Sequence, residues 1–155
     1  MIEGKIYYFL KHFLLNKGWT LLAGEPPDGS DNVCRIEIRN KNRVGIGSKG
    51  SYKIDLIFLR KDILFLIELK PRYNQGDITK LNEITSQRLN DLYDALEERC
   101  NLNRRDIKQI IKCIGVGTLN SYALPIDFLG FIVEGEDDVK IEFGEELKDL
   151  RLFED

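Results

Sequence analysis

The 155-residue chain has a single histidine and three cysteines, and no two of the cysteines form a Cys-x-x-Cys pair. A structural zinc site takes four nitrogen or sulfur ligands, usually delivered in closely spaced pairs, so these shortages exclude one. His12 lies beside Lys11 in a helical stretch, with no pattern linking it to any cysteine. A cysteine nucleophile activated by histidine therefore falls as well. Cys34, Cys100 and Cys113 are an odd set without short-range pairing, which leads us to expect a reduced, cytoplasmic protein. Long hydrophobic runs are missing too. The longest apolar stretch is interrupted by Arg60, Lys61 and Asp62 and falls short of the ~18 residues that span a bilayer. The start MIEGKIYYFLKHFLL has no basic region followed by an unbroken apolar segment and a small-residue cleavage site. Neither a secreted nor a membrane role is expected. There is no internal repeat and no low-complexity segment.

Net positive charge is also absent: 23 Lys and Arg stand against 26 Asp and Glu, giving −3. This excludes a protein that coats nucleic acid by overall basicity, but a local basic surface is present. From Glu134 to the end, ten acidic residues face Lys140, Lys148 and Arg151, a net of −7, so removing that segment from the total leaves +4 on residues 1–133. Within that body, Arg35, Arg39, Lys41, Arg43, Lys49 and Lys53 are opposed by Glu37 alone between positions 35 and 53. A polyanion is a suitable partner for such a stretch.

The hydrophobic pattern predicts one domain. Ile2, Ile6, Phe9, Leu10, Phe13 and Leu14 have helical spacing, and Gly18 stands where a left-handed cap is needed. Residues 19–23 suit a short strand. Residues 33–39 alternate polar and apolar side chains, the period of a half-buried strand. Two apolar runs follow, 52–59 and 63–69. A long amphipathic helix is expected from Asp77 through Leu96, strands over 108–116 and 128–133, and a short helix over 144–150. This order predicts an α/β (α+β) fold, a central mixed sheet flanked by helices. Residues 1–133 form the core and residues 134–155 an acidic C-terminal extension of the same domain.

The two apolar runs form a hairpin that should be covered on both faces, yet its far end carries Asp55, Glu68 and Lys70. With a two-residue connection at Lys61-Asp62, Asp55 lies opposite Glu68 and Lys53 opposite Lys70. Opposed residues have Cβ atoms ~4.5–5.5 Å apart, so rigid backbone would hold two carboxylates together. They repel unless a positive charge lies between them. Mg²⁺ or Mn²⁺, which favour oxygen ligands, is an economical solution. A salt-bridge cluster with Lys70 and Lys53 is the alternative.

An Asp, twelve residues and then Glu-x-Lys on a strand resembles the PD-(D/E)XK superfamily, the restriction endonuclease-like nucleases that include archaeal Holliday-junction resolvases. The motif stands here as Ile54-Asp55 and Glu68-Leu69-Lys70, with Ile54 in place of the usual proline. The resemblance extends to the element order over roughly residues 1–133. It implies a metal-dependent DNA endonuclease in which Asp55 and Glu68 hold Mg²⁺ (or Mn²⁺), with the Leu69 carbonyl and Glu3 of the first helix as further ligands. Lys70 would orient the attacking water or stabilise charge on the phosphate. Gln87 and Tyr93 lie six apart, which departs from the glutamine–tyrosine pair of the exonuclease branch. Glu3 has a simpler explanation as well, since an acid in a first helical turn is favoured by the helix dipole.

Arg39, Lys41, Arg43, Ser48, Lys49, Ser51 and Lys53, together with Arg72 beyond the motif, are candidate contacts to the DNA backbone. A solvated surface loop would have the same composition. The glycines at 45, 47 and 50 do not precede a Lys-Ser/Thr pair and a helix, so no nucleoside triphosphate site is expected. One site per small chain implies a homodimer or a partner subunit for duplex cleavage. The alternative is a catalytically silent domain of the same fold that binds nucleic acid or assists assembly. RNA remains open as a substrate.

Overall fold

A computed structural model describes residues 1–27, 29, 31–39, 50–119 and 124–154. Helix α1 (Glu3–Asn16) buries Ile6, Tyr7, Leu10 and Leu14, one stripe of its surface. It ends at Gly18, whose φ is 87°. The Gly18 and Trp19 amides then donate back to the Leu15 and Leu14 carbonyls at 3.1 and 3.0 Å, closing the helix as the sequence predicts.

Strand β1 (Thr20–Gly24) precedes the hairpin of β2 (Leu56–Arg60) and β3 (Ile63–Arg72). Helices α2 (Gln75–Ser86) and α3 (Leu89–Cys100) lead to β4 (Gln109–Thr118), and β5 (Phe128–Gly135) and β6 (Asp138–Phe143) complete the sheet. The six strands lie side by side in chain order. β3, β4 and β5 are parallel neighbours, and the other pairs are antiparallel. The expected mixed sheet flanked by helices is therefore the architecture of the chain. Among the described residues, no helix is long and apolar enough to cross a membrane.

Alternation along the strands gives the sheet two apolar faces. Leu56, Phe58, Phe65, Ile67 and Leu69 pack with α1 and with Leu147 and Leu152 near the C-terminus. Ile57, Leu64 and Leu66 pack with Ile78, Leu81, Leu92 and Leu96 of α2 and α3. Close seating of α1 depends on Gly115 in β4. A β-carbon there would lie 2.6 Å from Leu69 Cδ2 and 2.9 Å from Leu10 Cδ2.

Three expectations need correction. Residues 33–39 do not form a strand. Ile36 and Ile38 are buried as their alternation implies, but among the described residues the only β-bridge of this segment is an isolated one between Ile38 and Tyr52. The long helix is two helices. Thr85 and Ser86 turn their hydroxyls onto the Leu81 and Asn82 carbonyls at 2.9 and 2.6 Å, and Arg88 leaves helical geometry with φ −117° and ψ 21°. At the C-terminus, the expected helix over 144–150 is only a 3-10 turn, Glu145–Leu147. The acidic stretch before it supplies β6, in which Val139, Ile141 and Phe143 alternate with exposed Asp138, Lys140 and Glu142. Charged side chains facing out suit an edge strand, where they discourage pairing with other chains.

The helix break places Arg88 in the interior. Its guanidinium donates to Asp91 Oδ2 at 2.7 Å, to the Gly50 carbonyl at 2.7 Å and to the Ile38 carbonyl at 3.3 Å. It also lies 5.5 Å from the centre of the Tyr52 ring. One side chain thus fastens α3 to both ends of the 39–50 connection. Arg88→Ala leaves the Gly50 carbonyl and the Asp91 carboxylate without this donor and the Ile38 carbonyl with the Tyr52 amide alone, and a loss of about 3 kcal/mol is expected in urea unfolding. A loss below about 0.5 kcal/mol, the range of an ordinary surface change, would contradict this role.

Candidate active site

The β2–β3 register decides what the site contains. Arg60 pairs with Ile63 across a two-residue turn, and Leu56 pairs with Ile67. Lys61 takes the left-handed φ of 56° in that turn. One step beyond Leu56 and Ile67, the strands are joined through side chains: the Asp55 amide donates to Glu68 Oε2 at 3.0 Å, and the Leu69 amide donates to Asp55 Oδ2 at 2.8 Å. The Asp55 carbonyl accepts from the Glu25 amide at 2.9 Å, which fixes the residue from its other edge. Asp55 and Glu68 are thus brought together as their spacing predicts. Leu69 enters this arrangement through its amide.

Period-2 alternation puts Glu68 and Lys70 on the face of β3 that carries Leu64 and Leu66, the face covered by α2. Asn74 starts α2 immediately after β3 by accepting from the Gly76 amide at 2.7 Å. Two residues of its first two turns then reach the site, Asp77 and Lys80, which the sequence reading did not single out. Lys80 Nζ is 2.5 Å from Glu68 Oε1 and also donates to the Lys53 carbonyl. Lys70 Nζ sits 3.9 Å from Asp77 Oδ1 and 4.0 Å from Glu3 Oε1. The available signal was the i, i+3 spacing of Asp77 and Lys80, which aligns both beside the buried Ile78 and Leu81.

Four acids and two ammonium groups therefore share the end of β3. Glu68 is only 3% exposed. Burial, and next the charge of Glu68, push the Asp55 carboxyl up to about 7. Asp77 is pushed up to about 6 by the same two causes in the same order. The raised carboxyls reflect burial first and, second, the negative charge of Glu68, which the two lysines do not fully offset at these positions.

The site opens into a pocket of about 430 Å³ lined by Glu37, Ser51, Tyr52, Lys53, Asp55, Glu68, Lys70 and Lys80. Of the expected DNA contacts, Ser51 and Lys53 line it. Arg39 lies in a second pocket of about 690 Å³ that shares Glu37 and Lys53 with the first. Arg72 is exposed at the end of β3, two residues past Lys70. Lys41, Arg43, Ser48 and Lys49 lie outside the described residues.

Asp55 and Glu68 suit a hard cation in donor chemistry, two adjacent carboxylates of which one is poorly compensated. Among the described residues, however, no three His, Cys, Asp or Glu side chains are grouped to hold a metal ion. Glu3 therefore does not join them as a third ligand; it approaches Lys70 instead. An ion held by these two carboxylates would complete its coordination with water, as Mg²⁺ commonly does. Comparison of the chain with family models, with curated proteins and with solved structures gives no match.

The raised Asp55 carboxyl has a consequence for stability. In the unfolded chain it ionises near the ordinary 3.8, and in the fold near 7. The folded state therefore holds the extra proton between those values, and stability falls as pH rises through that window. Asp55→Asn keeps an oxygen for the Leu69 amide and removes the ionisation. In the presence of a chelator, the variant is expected to melt about 3 °C or more above the wild type at pH 8, with a smaller difference at pH 5. Equal melting temperatures at pH 8 would contradict the charge strain assigned to this residue.

Proposed function

We propose that the protein is a metal-dependent nuclease that hydrolyses DNA phosphodiester bonds at Asp55, Glu68 and Lys70. The observation that carries this reading is the backbone-braced pairing of Asp55 with Glu68, beside Lys70 and in an open pocket. These are the residues on which the resemblance to PD-(D/E)XK nucleases rests.

Each residue has a distinct task in this mechanism. Asp55 and Glu68 would hold Mg²⁺ or Mn²⁺, which supplies a more acidic water and offsets charge growing on the phosphate. The Leu69 and Asp55 amides fix the two carboxylates, so that they need no reorganisation as the reaction proceeds. Lys70 is 39% exposed and only loosely engaged at 3.9–4.0 Å from its acids, which leaves its ammonium available to a phosphate oxygen or to the attacking water. Lys80 is a different kind of lysine. Anchored on Glu68 at 2.5 Å, it orients that carboxylate. Lys53, Ser51, Arg39 and Arg72 would meet the DNA backbone near the pocket. Cutting both strands of a duplex would take two copies or a partner subunit.

A second reading has an observation of its own. Glu68 already has Lys80 on one oxygen and the Asp55 amide on the other. A cluster satisfied in this way suits a domain that binds nucleic acid without cutting it.

Incubation with plasmid, branched and single-stranded DNA and with RNA, in Mg²⁺ or Mn²⁺, separates the two. The nuclease reading expects nicking that falls by about 100-fold or more in Glu68→Ala and Lys70→Ala. Wild type and variants nicking at the same trace rate would overturn it. Retained DNA binding in that case would favour the silent domain.

A further inference from the structure

The cysteines offer chemistry that the candidate site does not use. Cys113 lies in β4 with no exposure, and burial pushes its thiol well above the ordinary range. Cys34 and Cys100 differ from it: both are partly exposed, and although 66 positions apart they are neighbours in the fold, the Cys34 side chain lying close enough to act on the Cys100 thiol. Cys34 Sγ also donates to the Arg99 carbonyl at 3.7 Å, and Cys100 Sγ to the Leu22 carbonyl at 3.8 Å. The backbone is fixed on both sides of the contact. The Cys34 carbonyl accepts from the Gly24 amide of β1 at 2.9 Å, and Cys100 is the last residue of α3, followed by Asn101 in a left-handed cap with φ 53°.

We propose that Cys34 and Cys100 are a disulfide-forming pair, an oxidative modification site that reacts with low-molecular-weight disulfides such as glutathione disulfide. With Cys34 Sγ held 3.7 Å from the carbonyl of Arg99, the residue before Cys100, side-chain rotation would bring the two sulfurs to the ~2.05 Å of an S–S bond. The order of attack follows from their surroundings. Burial, and next the neighbouring Cys34, push the Cys100 thiol up to about 11, which leaves little thiolate there near neutral pH. Cys34 therefore acts first. It loses its proton, its sulfur bonds to one sulfur of glutathione disulfide, and that S–S bond breaks to release one glutathione thiolate, which takes up a proton. Cys100, deprotonated in turn, attacks the Cys34 sulfur and expels the second glutathione. Two protein thiols are oxidised and one small disulfide is reduced to two thiols.

The bond would join two pocket walls. Arg35, Glu37 and Arg39 follow Cys34 on one wall of the 690 Å³ pocket, and Glu98 and Arg99 precede Cys100 on the other. Glu37 and Lys53 continue into the pocket that holds Asp55 and Glu68. Oxidation would therefore pin the segment bordering the candidate site, whatever that site does.

Treatment of the full chain with glutathione disulfide at pH 8, followed by alkylation in denaturant and intact-mass and peptide analysis, tests the pair. Two of the three cysteines should become resistant to alkylation, the mass before alkylation should fall by about 2 Da as two thiol hydrogens are lost, and one reductant-sensitive cross-linked peptide should contain positions 34 and 100. Cys34→Ser and Cys100→Ser should each prevent the cross-link, whereas Cys113→Ser should leave it intact. Three alkylatable thiols, a glutathione adduct that persists on Cys34 in the wild type, or a cross-link between chains would each overturn the proposal.

Discussion

The antiparallel pairing of β2 with β3 sets Leu56 against Ile67 and, one step further, Asp55 against Glu68. Everything at the candidate site depends on that register. A slip of one residue would turn Glu68 toward α1 and bring an apolar neighbour to α2, so the buried faces of the sheet hold the carboxylates in place. The parallel β3–β4 pairing and the α2–α3 crossover then decide which helix covers Glu68. Lys80 and Asp77 arrive on that helix.

The result is a group of like charges built into an otherwise apolar sheet. Glu68 is buried and braced by an amide and an ammonium, while Asp55 and Asp77 are driven toward their protonated forms. Folding stability alone would be better served by apolar side chains at such positions. Destabilising arrangements of this kind are characteristic of sites shaped by chemistry or binding. The acidic C-terminal stretch stands apart from this group. It supplies the edge strand β6, and its apolar residues Leu147 and Leu152 close the α1 face.

The features legible in the sequence were those with local causes. Helical spacing and Gly18 defined α1, two doubly apolar runs defined the hairpin, and the two residues between them set the register that joins Asp55 to Glu68. Features with tertiary causes were hidden. Nothing in the periodicity between 77 and 96 marks Arg88 as a residue that leaves the helix to bond Gly50 and Ile38. The alternation of 33–39 reports burial correctly, yet a strand also needs a partner, and among the described residues that partner is a single bridge from Ile38 to Tyr52. β6 was masked by its charge, which belongs to the exposed side of an edge strand. Lys80 and Asp77 looked like ordinary polar positions on an amphipathic helix until the crossover placed them over Glu68.

The central claim is that Asp55 and Glu68 are a carboxylate pair arranged for a divalent cation. Titration of Mn²⁺ into the protein, with the free ion followed by its electron paramagnetic resonance signal, tests this without reference to any substrate. The account predicts depletion of free Mn²⁺ by the wild type, loss of that depletion in Glu68→Gln, and competition by Mg²⁺. A free-ion signal that is the same with wild type, with Glu68→Gln and with buffer alone would contradict it.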